Sequence, residues 1–220
     1  MTTVSPLSRL SPSAHLERMP LVAVLRARHA DAYAPVVAAL VDGGVCSIEI
    51  TLSTPGALEA VPELRDIVGG RAEIGVGTVV SEAAADAALA AGADYLVTPV
   101  VDEQIITRCV DAGVPIYAGA LSPTEVHTAW RAGATAVKIF PASTVGPSYA
   151  AHLRGPFPDL RIMPSGGVGI DDIVPWLDAG AIAVSIGGPL LKDALGGGSA
   201  ADLTARTRRA VDLVEQWRSR

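Results

Sequence analysis

The chain is poor in lysine, cysteine, aromatic side chains and positive charge, and each shortage excludes something. Its net charge of -6 leaves no basic face for general nucleic-acid binding. Its two cysteines, Cys46 and Cys109, are far apart and lack CxxC or other metal-ligand spacing. That usage fits small core residues in a reducing, cytoplasmic setting rather than a disulfide framework. No apolar run approaches the roughly 18 residues that span a bilayer, so no membrane partner is expected. The first stretch, Met1 to Arg18, is polar and rich in Ser and Pro, without the apolar core of a secretory signal. Four histidines, His15, His29, His127 and His152, fall outside every strand-like run. A strand-end metal site is therefore not expected, and no cofactor is implied. Aromatics make up only 4% of the 220 residues, leaving Ala, Val and Gly to pack helices on strands.

Against this background lysine stands out. Only Lys138 and Lys192 occur, beside 15 arginines. Lys138 lies within the apolar run Ala134 to Pro141, flanked by Val137 and Ile139. Such surroundings disfavour the charged form and produce the nucleophilic amine that condenses with ketones. A snorkelling lysine at a strand end is the plainer alternative.

Short β-branched or Gly-rich runs alternate with Ala/Leu-rich helical stretches along the chain. The strands are expected at Leu21–Arg26, Val45–Leu52, Glu73–Thr78, Tyr95–Thr98, Pro115–Ala118, Ala134–Phe140, Leu160–Ser165 and Ile182–Ile186. Helix-stop glycines stand at Gly44, Gly92, Gly113, Gly133 and Gly180. The phrase Ala-Gly-(Ala/Val) recurs at 91–93, 112–114, 132–134 and 179–181, each time just before a strand. Serial βα units of this kind predict a single-domain α/β fold, a (β/α)8 TIM barrel over residues 20–220. Residues 1–19 would form an N-terminal extension or leading helix. An open doubly wound sheet is the structural alternative. A last amphipathic helix is expected from Ala200 to about Trp217, with Leu203, Thr207, Ala210, Val211 and Val214 on one side.

In a barrel, chemistry collects at the C-terminal ends of the strands. There the chain places Arg26, Glu49, Thr78, Pro99, Lys138, Phe140, Ser165-Gly166-Gly167 and Gly187-Gly188. Alternation puts Cys46, Ile48, Ile50 and Leu52 on one face of the second strand and Glu49 on the other. In the sixth strand Val137 and Ile139 face outward, and Ala136, Lys138 and Phe140 inward. Glu49 and Lys138 thus point into the same interior, either as a structural ion pair or as a proton shuttle beside a nucleophile. Arg26 suits a carboxylate, with a rim salt bridge as its alternative. The glycines after strands seven and eight suit an anion cradle.

These residues resemble the 2-keto-3-deoxy-6-phosphogluconate (KDPG) aldolases, class I lyases of pyruvate-derived sugar acids. The resemblance covers roughly Pro20 to Leu191. Its carriers are Pro20-Leu-Val-Ala-Val-Leu-Arg26, Asp42-Gly-Gly-Val45, Ile48-Glu-Ile-Thr-Leu52, Ile74-Gly-Val-Gly-Thr-Val79, Val97-Thr-Pro99, Pro123-Thr-Glu125, Val137-Lys-Ile-Phe-Pro-Ala142 and Pro164-Ser-Gly-Gly-Val168. The resemblance implies that Lys138 forms the Schiff base and Glu49 shuttles protons. It implies that Thr78 holds the pyruvyl carboxylate, Phe140 lines the pocket, and Ser165, Gly166 and Gly167 serve the far end. It also implies a homotrimer, no metal, and a small 2-keto acid as substrate, with KDPG placed first. Two positions depart from the family pattern. Ser53 stands where many members carry a carboxylate-gripping Arg, a role Arg26 takes in the related galactonate-type (KDPGal) enzymes. Pro189 replaces a frequent Ser and removes an amide N–H from the phosphate cradle, although proline suits a helix start. A sugar acid without phosphate, or a short substrate such as 4-hydroxy-2-oxoglutarate, therefore stays open, as does the KDPGal epimer. A phosphosugar isomerase or epimerase, or a non-catalytic barrel, are the alternatives from other classes.

Overall fold

The computed structural model describes residues 9–220. Of the expected N-terminal extension, residues 1–8 lie outside the described residues. The remainder holds a short helix, α1 (Ala14–Arg18), capped by the Ser13 hydroxyl, which accepts from the Leu16 N–H at 3.1 Å.

Among the described residues eight parallel strands follow. They are β1 (Leu21–Leu25), β2 (Ser47–Thr51), β3 (Glu73–Gly77), β4 (Leu96–Val97), β5 (Ile116–Ala120), β6 (Ala136–Ile139), β7 (Ile162–Pro164) and β8 (Val184–Ile186). Their order is β7-β6-β5-β4-β3-β2-β1-β8. The two ends of this ladder meet. Ile182 N–H donates to the Ile162 carbonyl at 2.8 Å, and Ser165 Oγ to Ser185 Oγ at 3.3 Å. The sheet is thus a nearly closed (β/α)8 barrel in one domain, as the alternation predicts. Seven strands lie inside their expected spans. β5 instead runs two residues further, because Gly119 does not end it. A Cβ at Gly119 would stand 2.3 Å from the Pro99 carbonyl carbon, so this glycine permits close backbone approach within the barrel.

The covering helices are α2 (Tyr33–Asp42), α3 (Ala57–Val68), α4 (Glu82–Ala90), α5 (Glu103–Asp111), α6 (Pro123–Arg131), α7 (Ser148–Arg154), α8 (Ile173–Asp178), the short α9 (Gly188–Leu191) and α10 (Ala200–Arg218). The repeated Ala-Gly-(Ala/Val) phrase is a helix C-cap. At Gly92, Gly113, Gly133 and Gly180 the backbone has positive φ. The next N–H then reaches back five residues, as in Val114 to the Cys109 carbonyl at 2.9 Å and Ala181 to the Trp176 carbonyl at 3.0 Å. This Schellman geometry satisfies end carbonyls and turns the chain into the next strand. α10 buries Leu203, Thr207, Ala210, Val211 and Val214, the expected set.

The alternation within each strand separates two apolar regions. Ile48, Ile50, Ile74, Val76, Val137 and Ile139 face the helices. Inside the barrel lie Val22, Tyr95, Val97, Tyr117, Ala136, Met163 and Ala183, with Leu16 of α1 joining them. Glycines hollow the inner wall of β3. A Cβ at Gly75 would lie 2.1 Å from the Tyr95 ring, and one at Gly77 would lie 1.9 Å from Glu49 Oε1. Gly75→Ala therefore overpacks the barrel. It should cost about 1–3 kcal/mol in urea unfolding, and an unchanged midpoint would contradict this packing.

Candidate active site

At the C-terminal end of the strands a cavity of ≈ 380 Å³ is lined by Arg26, Glu49, Thr78, Pro99, Lys138, Phe140, Ser165, Gly166, Gly167, Gly187 and Gly188. All of the residues singled out from the sequence meet here. Val24, Val168 and Pro189 line it too. Val24 was legible from its two-residue spacing to Val22 on β1; Val168 follows the glycine pair without a signal of its own.

Register explains the two charged groups. Lys138 pairs with Gly119 and Met163, and Glu49 with Val24 and Gly75, so both project from the inner face. Lys138 is 6% exposed and Glu49 1%. Lys138 Nζ lies 5.0 Å from the Phe140 ring centroid, within cation–π range. Among the described residues Lys138 and Glu49 make no salt bridge within 4.0 Å, which departs from the structural ion-pair alternative. Burial raises the Glu49 pKa above the ordinary carboxylate range, while the charges of Lys138 and Arg26 partly oppose the shift. Its Oε2 is buried without a hydrogen-bond partner among the described residues.

The rim is polar. Arg26 is exposed and donates from Nη2 to Thr78 Oγ1 at a long 3.5 Å. Thr78 has φ 61°, a left-handed conformation that is rare for a β-branched residue and stores strain of about 1–3 kcal/mol. Opposite, Gly166 and Gly167 turn the chain with φ 84° and 75°. A Cβ at Gly166 would lie 2.8 Å from the Phe140 ring, and one at Gly167 2.6 Å from Ser143 Cβ. The amides of Gly166, Gly167, Val168, Gly187 and Gly188 donate to no acceptor among the described residues. Pro189 sits in the first turn of α9, so its missing N–H is one that a helix start would leave free. The histidines lie elsewhere: His15, His127 and His152 on helices, and His29 in a loop.

The arrangement combines a buried amine, a buried carboxylate, a rim guanidinium and a set of free amides around one small cavity. It suits an anionic carbonyl compound. A family model for KDPG and KHG aldolase matches residues 13–208. The chain is 34% identical over 202 residues to 2-dehydro-3-deoxy-6-phosphogalactonate aldolase of Escherichia coli (strain K12), covering 91% of this chain and 96% of that relative. It is 29% identical over 206 residues to 2-dehydro-3-deoxy-phosphogluconate aldolase of Treponema pallidum (strain Nichols), covering 90% and 95%. The solved native KDPGal structure is similar with a TM-score of 0.87 at 30% identity, covering 96% of this chain and 100% of that one. The chain belongs to the KDPG and KHG aldolase family and is a carbon–carbon lyase.

Proposed function

We propose that this chain is a Schiff-base aldolase that cleaves a 2-keto-3-deoxy-6-phospho sugar acid to pyruvate and glyceraldehyde 3-phosphate. The observation that carries the reading is Lys138. It is buried within the cavity, shares it with buried Glu49, and is held in no salt bridge among the described residues. Lys138 Nζ attacks the C2 ketone, and Glu49 relays protons as water leaves the carbinolamine. Glu49 then takes the C4 hydroxyl proton, the C3–C4 bond breaks, and the bonding pair moves into the imine to give an enamine. Glu49 returns its proton to C3 of the enamine, and water hydrolyses the resulting imine to release pyruvate and restore the amine. The iminium is the electron sink, so the scheme calls for no metal or cofactor.

Arg26 and Thr78 fix the carboxylate in this scheme. The free amides of Gly166, Gly167, Val168, Gly187 and Gly188 suit the phosphate, and they offset the N–H that Pro189 lacks. Leu25-Arg26 and the galactonate relative favour the KDPGal epimer over KDPG. Exposed Val80 and Val100, just beyond the neighbouring strands β3 and β4, suit an apolar contact in the homotrimer that the resemblance implies.

Coupled detection of pyruvate tests the assignment. Wild-type protein should turn over 2-keto-3-deoxy-6-phosphogalactonate faster than its gluconate epimer, and Lys138→Met should turn over neither; a Met variant with wild-type rate excludes the scheme. Glu49→Gln should lower kcat by about 10²–10⁴-fold, whereas an unchanged kcat removes Glu49 from it. Stability supplies a second check. The raised Glu49 pKa means that the folded state holds this proton more tightly than the unfolded chain. Its destabilising effect is absent below the unfolded pKa and grows as pH rises through the folded one. Glu49→Gln should therefore have a higher Tm than wild type at pH 8, with the gap closing as pH falls. A lower Tm at pH 8 would contradict the sign of the shift.

A further inference from the structure

Below the cavity the barrel interior carries polar groups that the aldol scheme leaves unused. Tyr95 and Tyr117 meet edge to face, with centroids 5.4 Å apart and planes at 62°. The Tyr95 ring fills the space left by Gly75, whose added Cβ would lie 2.1–2.2 Å from its Cε2 and Cζ. Gly75 is the register partner of Glu49, and Gly77, two residues on, makes room for the Glu49 carboxylate. Ring and carboxylate thus occupy successive steps of one glycine-lined wall. Nearer the barrel's base, Glu73 is 4% exposed and accepts from Ser47 Oγ at 2.5 Å. It borders a cleft shared with Ser13, His15 and Asp94.

Three polar atoms along this interior, Glu49 Oε2, Tyr95 Oη and Tyr117 Oη, are buried without a hydrogen-bond partner among the described residues. Their residues are 1%, 1% and 0% exposed. Native interiors rarely leave such groups unpaired, and ordered water is the usual bridge between them. Burial pushes both phenol pKa values up, and the nearby charges of Glu73 and Glu49 push Tyr95 the same way. Both hydroxyls therefore stay neutral, each able to donate and accept at once.

We infer that Tyr95 and Tyr117, bridged by water, form a buried hydrogen-bonded chain from Glu49 Oε2 to Glu73, through which Glu49 is positioned and exchanges its proton with solvent at the barrel's base. This rests on the proposed part of Glu49 in the imine reaction. Each transfer is balanced. Protonated Glu49 gives its proton to the first oxygen, every oxygen passes one of its own protons onward, and the Glu73 carboxylate takes the last. Glu49 is left as the carboxylate, and Glu73 releases the proton to water in the base cleft. Tyr95 and Tyr117 are positioning residues that act through Glu49.

Tyr95→Phe keeps the ring and removes one oxygen, and Tyr117→Phe does the same one step further. The reading is exchange of the pyruvate methyl protons in D2O, followed by NMR, because the enamine takes up deuterium only after Glu49 has exchanged. Incubated with pyruvate to equilibrium before borohydride is added, both variants should trap as much pyruvyl adduct as wild type, because the chain alters rates and not the imine equilibrium. They should exchange the methyl group about tenfold more slowly, the size expected for one lost hydrogen bond. Wild-type exchange rates in both variants overturn the chain. Failure of wild type to trap pyruvate would instead count against the Lys138 scheme. High-resolution diffraction decides the chain independently of turnover. Ordered water bonded to Tyr95 Oη and Glu49 Oε2 supports it, and a dry interior overturns it.

Discussion

Glu49 and Lys138 are both nearly withdrawn from water inside one barrel, and the rest of the site is arranged around the consequences of that burial. An ion moved from water into a protein interior loses hydration worth several kcal/mol, even after the surroundings relax. Here the two groups share a cavity without closing into a direct salt bridge, so the Lys138 charge acts on Glu49 while the reactive atoms of both stay free of that pairing. The parallel ladder makes this tenable. It fixes β2 and β6 in register with their neighbours, and side-chain alternation does the rest. Glycines at 75, 77 and 119 then clear the inner wall for the side chains and backbone that approach there.

The same economy of charge appears at the mouth. On the proposed reading, a protein of net charge -6 must hold its anionic substrate locally. The cavity offers Arg26, Lys138 and backbone amides for that part rather than a basic surface. Amides fixed in turns need no reorganisation to meet an anion. The left-handed Thr78 beside Arg26 places backbone strain at this rim, as functional sites often do.

Much of this was legible in the chain. The Ala-Gly-(Ala/Val) phrases marked helix ends because only a left-handed residue forms that C-cap cheaply. The apolar partners of Glu49 and Lys138 revealed which way each side chain points, since β periodicity leaves two choices and the helices take the apolar one. What escaped the sequence has a common cause. Glycine within a strand reads as punctuation, so Gly119 hid the last two residues of β5. Its function there, clearance for Pro99, exists only across strands. Nothing in the type or spacing of Tyr95 and Tyr117 marks their hydroxyls, which are unpaired among the described residues and come together only when β4 and β5 close around one axis. The free amides behind Pro189 are likewise a property of backbone path rather than of residue type.

The proposed chemistry turns on Lys138 forming an imine with a 2-keto acid. Borohydride reduction in the presence of pyruvate, read by intact mass and then by peptide mapping, tests it most directly. One reduced pyruvyl adduct per chain, located on Lys138 and absent from Lys138→Met, is the expected result. Folded wild-type protein that gains no adduct, or gains it on Lys192, would contradict the account.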